Sequence, residues 1–457
     1  MDLPNRVNVL LIGSGGREHA LAWKLRQSPR LGTLWLAEGA TNVGLRGLGT
    51  PTPRGEVDLK NLFRTQRFCE RNEIQLVVIG PEGPLAAGAA DGLAAPGRLV
   101  FGPVKAAARL EADKAFAKQV MRSAAIPTAE ARVFDDPASA TRYVQAHDAP
   151  CVVKASGLAA GKGVVVCDDA GEAIAAIERI MVRREFGDSG STILIEERLS
   201  GPEVSVLALV DGQTFWVLDP CQDHKRIGEG DTGPNTGGMG AYCPAPILGP
   251  AQLERVQREV LVPVVNALAR DGIAYRGVLY AGLMLTPAGP KVLEFNCRFG
   301  DPECQVLLPR MKCDLVEVLW ATAAGSLADA AIEFDTRTSC CVVMASEGYP
   351  DTAPPAGRAG ETAGARGRVI TGLDQLAALA GPDEELVVFH SGTALNAKDE
   401  IVTAGGRVLS VTALARDLEA ARALANAACE RIAFHGSQWR RDIGRSAPRP
   451  FDAAGVS

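Results

Sequence analysis

One segment near residue 294 alternates polar and apolar side chains in a pattern that could bind a metal. In KVLEFNCRF (residues 291–299), Glu294, Asn296 and Arg298 alternate with Leu293, Phe295, Cys297 and Phe299. Because successive side chains of a strand point to opposite faces, the polar residues share one face and the apolar residues form a core face. Carboxylate and amide oxygens suit Mg²⁺ that bridges phosphates, and a guanidinium can neutralise an anion. A solvated face with an ion pair is the alternative, but the polar, glycine-containing GDPE that follows favours the metal site.

A lysine and a glycine-rich turn stand between two runs of β-branched residues in VVKASGLAAGKGVVV (residues 152–166). It is not a Walker phosphate loop, because only three residues separate Gly157 from Gly161. A Walker lysine also precedes Ser or Thr, whereas Lys162 precedes Gly163 and a strand-like run. The pattern indicates a hairpin whose N–H groups suit a phosphate and which could close over a ligand as a lid. An ordinary surface hairpin with a basic tip is the alternative.

A long glycine-rich stretch, QDHKRIGEGDTGPNTGGMGAY (residues 222–242), has no clear helix or strand pattern. Six glycines lie between residues 226 and 242, more than a packed element is expected to tolerate. Such a loop is typical of a lid or a binding loop, with a disordered linker as the alternative. Asp223 and Lys225 carry opposite charges at its base, and residues 236–240 suit close approach of the backbone to a ligand.

A glycine-rich turn follows the first strand-like run, in LLIGSGGREHAL (residues 10–21). Gly15 and Gly16 open a helix, and Arg17 adds positive charge to this anion site. The dinucleotide fingerprint is broken, because Glu18 stands where a third glycine is required.

A second glycine-rich turn, VVIGPEGPLAAG (residues 77–88), contains Glu82 and follows another strand-like run. Two such strand ends at one edge of a sheet predict a crevice for a phosphorylated small molecule. Glu38, at the end of the second strand-like run, could imitate the acid that binds a ribose.

Three units can be distinguished along the chain. Apolar runs at residues 7–12, 33–37, 76–79 and 99–101 alternate with helical patterns at 17–27 and 58–72. This alternation predicts a small parallel sheet with helices on both faces in residues 1–105. Residues 106–330 add helices at 112–124, 137–146, 170–184 and 252–271, the hairpin, and strands between 192 and 299. Strand-like runs at 339–346, 385–390 and 407–413 predict a β-rich domain in residues 331–432, before a partly ordered tail in 433–457.

The composition is that of a globular chain. Of 457 residues, 47% are hydrophobic and 22% charged, and no apolar run approaches the roughly 18 residues needed to cross a bilayer. A net charge of −6 argues against nucleic acid or anionic membrane as the main partner. Eleven scattered cysteines without a CxxC pair, and five dispersed histidines, argue against a structural zinc site. Without a cleavable signal pattern at the amino terminus, these thiols predict a reducing cytoplasm.

Together the segments resemble the ATP-grasp ligases and, within them, the glycinamide ribonucleotide synthetase (phosphoribosylamine–glycine ligase) family. The motifs occur in the family's order: IGSGGREHAL, GPEGPLAAG, KASGLAAGKGV, IEERLSGPEVS, QDHKR, DTGPNTGGMGAY and EFNCRFGDPE. The resemblance implies an α/β fold with an amino-terminal doubly wound parallel α/β domain and a β-rich carboxy-terminal domain. Between them it implies an ATP-grasp core of two subdomains, one of which is a lid near residues 127–197.

The resemblance also implies roles for individual residues. It places Lys114, Lys154, Gly157, Gly161, Lys162 and Gly163 at the ATP phosphates. It places Glu196, Glu197 and Leu199 at the adenine hinge, Glu203 at the ribose, and Glu294 and Asn296 on Mg²⁺ or Mn²⁺. A crevice at Gly15, Gly16, Arg17, Glu18 and Glu82 would receive phosphoribosylamine. The catalytic set Asp223, Lys225 and Arg298, with Asn235, Thr236, Gly237 and Met239, would surround glycine and its acyl phosphate.

The implied activity is ATP-dependent ligation of glycine to 5-phosphoribosylamine through a glycyl phosphate, giving glycinamide ribonucleotide, ADP and phosphate in purine biosynthesis. The alternatives are another ATP-grasp carboxylate–amine ligase, a nicotinamide-dependent oxidoreductase and a silent nucleotide sensor.

Many ATP-grasp enzymes have a further metal-binding carboxylate on the strand that precedes the one with the other metal ligands. LYAGLM (residues 279–284) lacks this carboxylate, so the metal would depend on Glu294 and Asn296. The expected partners are small-molecule substrates, without nucleic acid or membrane; the sequence leaves the oligomeric state open, a monomer included.

Overall fold

The structure, a computed structural model, describes residues 2–37, 42–159, 161–350 and 366–445. Glu38, the predicted ribose-binding acid, lies outside the described residues. In the described part of the chain, no helix has the length and apolar character that a membrane span requires.

The first unit is a five-stranded parallel sheet. Its strands, in the order β3-β2-β1-β4-β5, are β1 (Val7–Ile12), β2 (Leu31–Leu36), β3 (Thr50–Pro51), β4 (Leu76–Ile79) and β5 (Leu99–Phe101). Its helices are α1 (Gly16–Leu25), α2 (Leu62–Arg71), α3 (Glu82–Ala87) and α4 (Ala89–Leu93). Alternate residues of β1 pack against α1 on one face and against α2 and α3 on the other, which explains why its apolar run is continuous. Because β1 pairs with β4, the glycine turns that follow them lie side by side.

A unit with a four-stranded antiparallel sheet, called the lid after its predicted role, follows helices α5 (Lys105–Ala112) and α6 (Lys114–Ser123). Its elements are β6 (Ala131–Phe134), α7 (Pro137–His147), β7 (Cys151–Ala155), β8 (Val164–Cys167), α8 (Ala170–Ile177) and β9 (Ile193–Glu197). The strand order is β6-β9-β7-β8, and α8 continues as a π-helical turn at Glu178–Val182. The predicted hairpin is confirmed by the antiparallel pairing of β7 with β8. Val153 and Ile195 pack towards the helices, whereas Lys154 and Glu196 occupy the opposite face.

A second antiparallel sheet, in the order β11-β10-β16-β17, faces the lid residues through β17. Its strands are β10 (Glu203–Asp211), β11 (Phe215–Val217), β16 (Arg276–Thr286) and β17 (Gly289–Asn296). Between β11 and β16 the chain forms four short strands that belong to other sheets: β12 (Gln222–Asp223), β13 (Arg226–Gly228), β14 (Thr232–Asn235) and β15 (Gly240–Cys243). Helices α9 (Pro250–Val256) and α10 (Val262–Arg270), joined by a π-helical turn at Gln257–Leu261, pack against this sheet. Helices α11 (Glu303–Arg310) and α12 (Leu315–Ala324) follow β17.

Strand β17 departs from the predicted strict alternation at one residue. Its ladder shifts register against β16, so that Glu294 lies opposite Gly282 but Val292 lies opposite Leu283. The extra residue, Leu293, forms a bulge and is only half-buried, while Val292 takes the core position. The prediction that Leu293 belongs to the core face is therefore wrong, because the register is set by the neighbouring strand.

The third unit is β-rich, as predicted, and has one long helix. Its elements are β18 (Thr338–Ala345), β19 (Glu385–His390), β20 (Thr393–Leu395), β21 (Ile401–Thr403), β22 (Arg407–Ala415) and α13 (Leu418–Arg431). The main sheet has the order β12-β15-β18-β22-β19, so two strands from the glycine-rich stretch belong to it. Short 3₁₀ turns lie at Val43–Leu45, Gly187–Gly190, Leu327–Asp329 and Leu373–Ala378. The domain limits at residues 105 and 330 stay predictions.

Two segments are better packed than their composition predicts. The glycine-rich stretch contains the fully buried strand β15, where a side chain on Gly240 would collide with the Cys341 carbonyl, so glycine permits the close pairing with β18. The expectation that no packed element tolerates these glycines is therefore wrong.

Residues 433–445, predicted as the start of a tail, pair with residues 345 and 371 and include the buried Arg440, so this part is ordered by hydrogen bonds.

Candidate active site

Helix α6 places Lys114 directly under the lid hairpin. Asp113 caps the helix by accepting from the Phe116 N–H at 3.1 Å, and it also accepts from the Ser156 hydroxyl. This cap brings the start of α6 against the end of β7, where Lys114 Nζ donates to the Gly157 carbonyl at 3.2 Å. Burial lowers the pKa of Lys114, although nearby Glu294 opposes the shift.

The loop that joins β7 to β8 has glycine at its sterically constrained positions. The Gly157 N–H donates to the Ser189 carbonyl at 3.0 Å, and the Lys162 N–H donates to the Ala159 carbonyl at 2.9 Å. Gly161 has a φ of +74°, and a side chain there would point to within 3.9 Å of the Thr236 carbonyl. A side chain on Gly163 would come within 2.7 Å of Ala159. The hairpin tip therefore lies next to the glycine-rich loop.

A buried carboxylate on the lid lies between two lysines. Glu196 Oε2 is 2.9 Å from Lys154 Nζ, and its Oε1 is 3.3 Å from Lys118 Nζ. Each of the three side chains is less than 10% exposed: 3% for Glu196, 8% for Lys154 and 7% for Lys118. Lys154 also donates to the Leu293 carbonyl at 3.2 Å, which the bulge in β17 leaves outside the ladder. Sequence reasoning missed Lys118; its position four residues after Lys114 on one helix face was the signal that could have found it.

The other side of the cleft holds a lysine between two carboxylates. Lys225 Nζ is 2.9 Å from Glu203 Oε2 and 3.7 Å from Glu294 Oε1. Burial alone would lower the pKa of Lys225, but Glu203 and Glu294 outweigh it and hold the pKa well above its usual value. Burial alone would raise the pKa of Glu294, but Lys225, Lys154, Lys114 and Arg298 outweigh it and hold the pKa below its usual range. Glu294 is therefore an ionised carboxylate surrounded by cations.

The donor set on β17 suits a cation that also binds phosphate. Glu294 and Asn296 are half-buried on one face of the strand, and Gly282 lies opposite Glu294 on β16. In the described ranges, no group of three or more His, Cys, Asp and Glu side chains could hold a metal by itself. One carboxylate and one amide oxygen fit Mg²⁺, which usually keeps other ligands such as water and substrate phosphates.

At the predicted adenine hinge, the side chains are engaged by the protein. Glu197 Oε1 lies 2.7 Å from Lys291 Nζ and accepts from the Glu130 N–H at 3.1 Å. The Glu197 N–H donates to the Glu130 carbonyl at 2.9 Å. Leu199 is half-buried just after β9. Any contact that Glu196 or Glu197 makes with adenine would therefore use a remaining backbone group and not a side chain.

Arg298 joins the first unit to the cleft. Its Nη2 lies 2.9 Å from Glu111 Oε1, and its Nε lies 3.5 Å from Glu82 Oε2. Burial alone would lower the pKa of Arg298, but Glu111 and Glu82 raise it above its usual value. Burial alone would raise the pKa of Glu82, but Arg298 and Arg17 hold it below its usual value. Glu111, which sequence reasoning missed, is on α5 and has no local signal beyond its charge.

At the first glycine turn, the residue predicted to bind substrate is a structural brace. Glu18 is 2% exposed; its Oε2 accepts from the Gly15 N–H at 2.6 Å, and its Oε1 lies 2.7 Å from Arg17 Nε. A side chain on Gly80, in the second turn, would collide with this carboxylate. Glu18 is therefore enclosed between the two turns, which argues against a substrate contact; its predicted contact stays a prediction. Gly16 begins α1 beside Ser391 of the third unit.

The glycine-rich loop is held in place by hydrogen bonds to other parts of the protein. Thr236 donates to the Lys225 carbonyl through its N–H at 2.7 Å and its hydroxyl at 2.8 Å. The Gly237 N–H donates to the Tyr349 hydroxyl at 2.9 Å, and Asn235 ends β14 opposite Arg226. The N–H and hydroxyl of Thr236 and the N–H of Gly237 therefore already have protein partners.

Met239 lies in the same loop but belongs to the core. Its side chain is fully buried, its N–H donates to the His224 carbonyl at 2.8 Å, and its carbonyl accepts from the Val343 N–H at 2.9 Å. The protein engages both the side chain and the backbone of Met239, which argues against a substrate contact; its predicted contact stays a prediction.

Within the described ranges, Asp223 presents the one buried acidic oxygen that has no hydrogen-bond partner. Its Oδ1 is buried, and a side chain on Gly238 would come within 2.8 Å of it. Burial, and then the proximity of Glu303, raise the pKa of Asp223 well above its usual value, against the opposing effect of Lys225. Glu303 accepts from the Tyr280 hydroxyl at 2.5 Å and from the Ser205 hydroxyl at 3.2 Å.

Family comparisons cover three consecutive parts of the chain. Residues 7–111 match the family described as Phosphoribosylglycinamide synthetase, N domain. Residues 112–304 match the ATP-grasp (A) domain of the same synthetase, and residues 339–446 match its C domain.

Individual proteins resemble the chain over almost its whole length. A protein of Rhodopirellula baltica named phosphoribosylamine–glycine ligase is 49% identical over 98% of this chain and 100% of its own. The crystal structure of phosphoribosylamine–glycine ligase from Thermotoga maritima has a TM-score of 0.80 and 31% identity, covering 96% of this chain and 100% of that one. A biotin carboxylase domain from Hydrogenobacter thermophilus, in complex with MgADP, shares the fold at a TM-score of 0.70 and 18% identity, covering 94% and 91%. With its three domains and its cleft of lysines and carboxylates, this chain belongs to the phosphoribosylamine–glycine ligase family of ATP-grasp enzymes.

Proposed function

We propose that the chain is an ATP-dependent ligase that joins glycine to 5-phosphoribosylamine, forming glycinamide ribonucleotide, ADP and phosphate in purine biosynthesis. The observation that carries this function is the ring of lysines around Glu294: Lys114 and Lys154 approach from the lid side, and Lys225 approaches from the opposite side. A cleft with this charge distribution suits a polyphosphate that accompanies a metal. Full-length similarity to proteins named phosphoribosylamine–glycine ligase supports these substrates.

The reaction needs an activated carboxylate. A glycine carboxylate repels an amine and has no good leaving group, so its oxygen first takes the γ-phosphoryl group of ATP, and ADP leaves. The amine of phosphoribosylamine then attacks the acyl carbon, the C–O bond to phosphate breaks, and the amine loses a proton. Such transfers depend mainly on positioning and on stabilising the charge that spreads over the phosphoryl oxygens. Lys114 and Lys154 supply that positive charge on the lid side.

Glu294 and Asn296 would hold Mg²⁺ or Mn²⁺ in this cleft. The bound ion would neutralise phosphate charge during the transfer. Lys225 lies 3.7 Å from Glu294 and keeps this carboxylate ionised and oriented. Glu203, the expected ribose contact, anchors Lys225 from its other side at 2.9 Å.

Asp223 is proposed to receive the glycine ammonium. A buried carboxylate oxygen without a partner is costly, and an ammonium ion satisfies it. Lys225 then faces the carboxylate end of glycine, where the acyl phosphate forms. The glycine-tipped hairpin beside Thr236 shields this reactive intermediate from water.

Phosphoribosylamine is proposed to lie in the crevice above the two glycine turns of the first unit, because Glu18 fills the space between them. Gly15 and Gly16 stand at the N-terminus of α1, which favours an anion such as the sugar phosphate. Glu82 and Arg298 lie at the mouth of the crevice towards the cleft.

The eleven cysteines are all free thiols, which suits a reducing cytoplasm.

The test is ADP release with ATP, glycine and freshly prepared phosphoribosylamine, with each omitted in turn. We expect release to need all three, and glycinamide ribonucleotide to appear in equal amount. Replacing glycine by alanine or β-alanine distinguishes another carboxylate–amine ligase, which would turn over faster with one of these acids. ADP release that ignores glycine would contradict the proposed function.

A further inference from the structure

The glycine-rich loop needs support that its own packing does not provide. The β-hairpin formed by β13 and β14 leads directly into Thr236 and Gly237, and the seven residues of its two strands are all half-buried or exposed. A two-stranded ribbon of this kind is marginal in water without other contacts. Contacts from elsewhere must therefore define where the loop lies.

A buried arginine from the end of the third unit reaches the tip of this hairpin. The Arg440 side chain is 2% exposed, and its Nη1 donates to the Arg226 carbonyl at 3.0 Å and to Asp231 Oδ1 at 2.7 Å. Its Nε and Nη2 donate to the two carboxylate oxygens of Asp442, each at 2.8 Å. Asp442 in turn accepts from the Gly230 N–H at 2.8 Å. Arg440 and Asp442 thus bind the first strand, β13, and the turn of the hairpin.

This arrangement is costly and has no part in the chemistry proposed above. Burying a guanidinium is unfavourable unless its charge and its N–H groups are satisfied. Burial alone would lower the pKa of Arg440, but Asp442 and Asp231 outweigh it. None of the described contacts of Arg440 reaches Glu294 or the lysines around it. Its contacts are with the loop backbone and with carboxylates at the loop's edge.

The third unit also holds the opposite end of the loop. Gly237 lies between two of its side chains: the Gly237 N–H donates to the Tyr349 hydroxyl at 2.9 Å, and Arg407 Nη1 donates to the Gly237 carbonyl at 2.6 Å. Arg407 Nη1 also donates to the Asp301 carbonyl at 2.7 Å, in the connection between β17 and α11. The loop is therefore fixed at its tip and at its cleft end by one domain.

We propose that Arg440 and Asp442 form a positioning clamp that sets the glycine-rich loop for amino-acid binding. The inference rests on the proposed function, because it assigns this loop to the glycine site and not to ATP. The residues proposed for the ATP phosphates belong to α6, β7 and the lid hairpin, which the clamp does not touch. Releasing the clamp should therefore weaken glycine binding and leave ATP binding intact.

The test is steady-state kinetics of the full-length variants Arg440→Lys, Asp442→Asn and Asp231→Asn, with ATP and glycine varied separately. We expect the KM for glycine to rise roughly 10- to 100-fold in Arg440→Lys and Asp442→Asn, because a displaced loop misplaces the substrate, while the KM for ATP stays within about twofold. Arg441→Ala is the matched control, since that side chain is 58% exposed and should leave both constants unchanged.

Asp231→Asn keeps the test decisive if Arg440→Lys does not fold. Asp231 is 67% exposed and has a φ of +56°, which asparagine tolerates, so its loss of charge should raise the glycine KM without unfolding the chain. Unchanged glycine KM in both Asp442→Asn and Asp231→Asn would overturn the clamp, as would equal rises for ATP and glycine. A wild-type enzyme that does not need glycine would instead refute the proposed function, before any variant is compared.

Discussion

Lys154 allows the proposed phosphate site to be tested without destroying the fold. Lys154→Met replaces the ammonium by an apolar chain of similar length. Removing one partner of a buried ion pair usually costs about 3–5 kcal/mol, because the other charge is left unpaired. Here Lys118 stays 3.3 Å from the same Glu196 carboxylate, so we expect a smaller loss of unfolding free energy, about 1–3 kcal/mol.

The catalytic loss should be larger than the structural one. Lys154 is held by Glu196 at 2.9 Å and by the Leu293 carbonyl at 3.2 Å, so its ammonium group is already oriented before substrate binds. Losing one preorganised group of this kind typically costs about 2.7–4 kcal/mol, or roughly 10²- to 10³-fold in kcat. Lys114 and Lys225 remain, so turnover should be reduced but not abolished.

The assay is ADP release at saturating ATP and glycine, with thermal unfolding measured on the same preparations. Lys291→Met is the control, because Lys291 forms a comparable 2.7 Å pair with the Glu197 side chain, at 27% and 40% exposure, whereas the predicted adenine contact of Glu197 uses its backbone. We expect that control to lose less than about 1 kcal/mol and to keep its turnover. If folded Lys154→Met turns over like the Lys291→Met control, the assignment of Lys154 to the transferred phosphoryl group is refuted.

Three further changes test other parts of the site. Glu294→Gln should lower turnover roughly 100-fold and raise the Mg²⁺ concentration for half-maximal activity; an unchanged Mg²⁺ titration would contradict the metal assignment. Burial alone would raise the pKa of Glu82, but Arg298 and Arg17 hold it below the unfolded value, so its ionised form stabilises the fold at neutral pH. The difference in unfolding free energy between wild type and Glu82→Gln should therefore shrink as the pH falls through that lowered pKa, and a difference that grew in acid would reverse the argument. Met239→Leu should lower the unfolding free energy by less than about 1.5 kcal/mol and leave the glycine KM unchanged. A higher glycine KM would indicate that Met239 does contact the substrate.

Structural features that depend on residues close together in the chain were predictable from the sequence. The runs flanking residues 157–163 are β-branched and adjacent, so the hairpin β7–β8 follows from neighbouring residues alone. The turns at Gly15 and Glu82 follow apolar runs of a parallel sheet, whose carboxyl ends meet at one edge. The alternation of Glu294 and Asn296 also requires nothing beyond the geometry of a strand.

Features set by distant partners were not predictable. The bulge at Leu293 depends on the register of β16, and it frees the carbonyl that holds Lys154. Glu18 has the charge of a ligand-binding residue, but two turns about sixty residues apart close around it. Met239 lies in a glycine-rich stretch, but its strand neighbour belongs to the third unit, which buries it.

The amino-acid sequence by itself determined which segments become strands, turns and the lid hairpin, because those depend on backbone preferences and on the spacing of side chains along the chain. Only the tertiary structure decided which charges meet: Lys118 and Lys154 on one carboxylate, Arg298 between Glu82 and Glu111, and Arg440 at the loop tip. Electrostatic energy depends on separation in space and on exclusion of water, and neither quantity is encoded in the local order of residues.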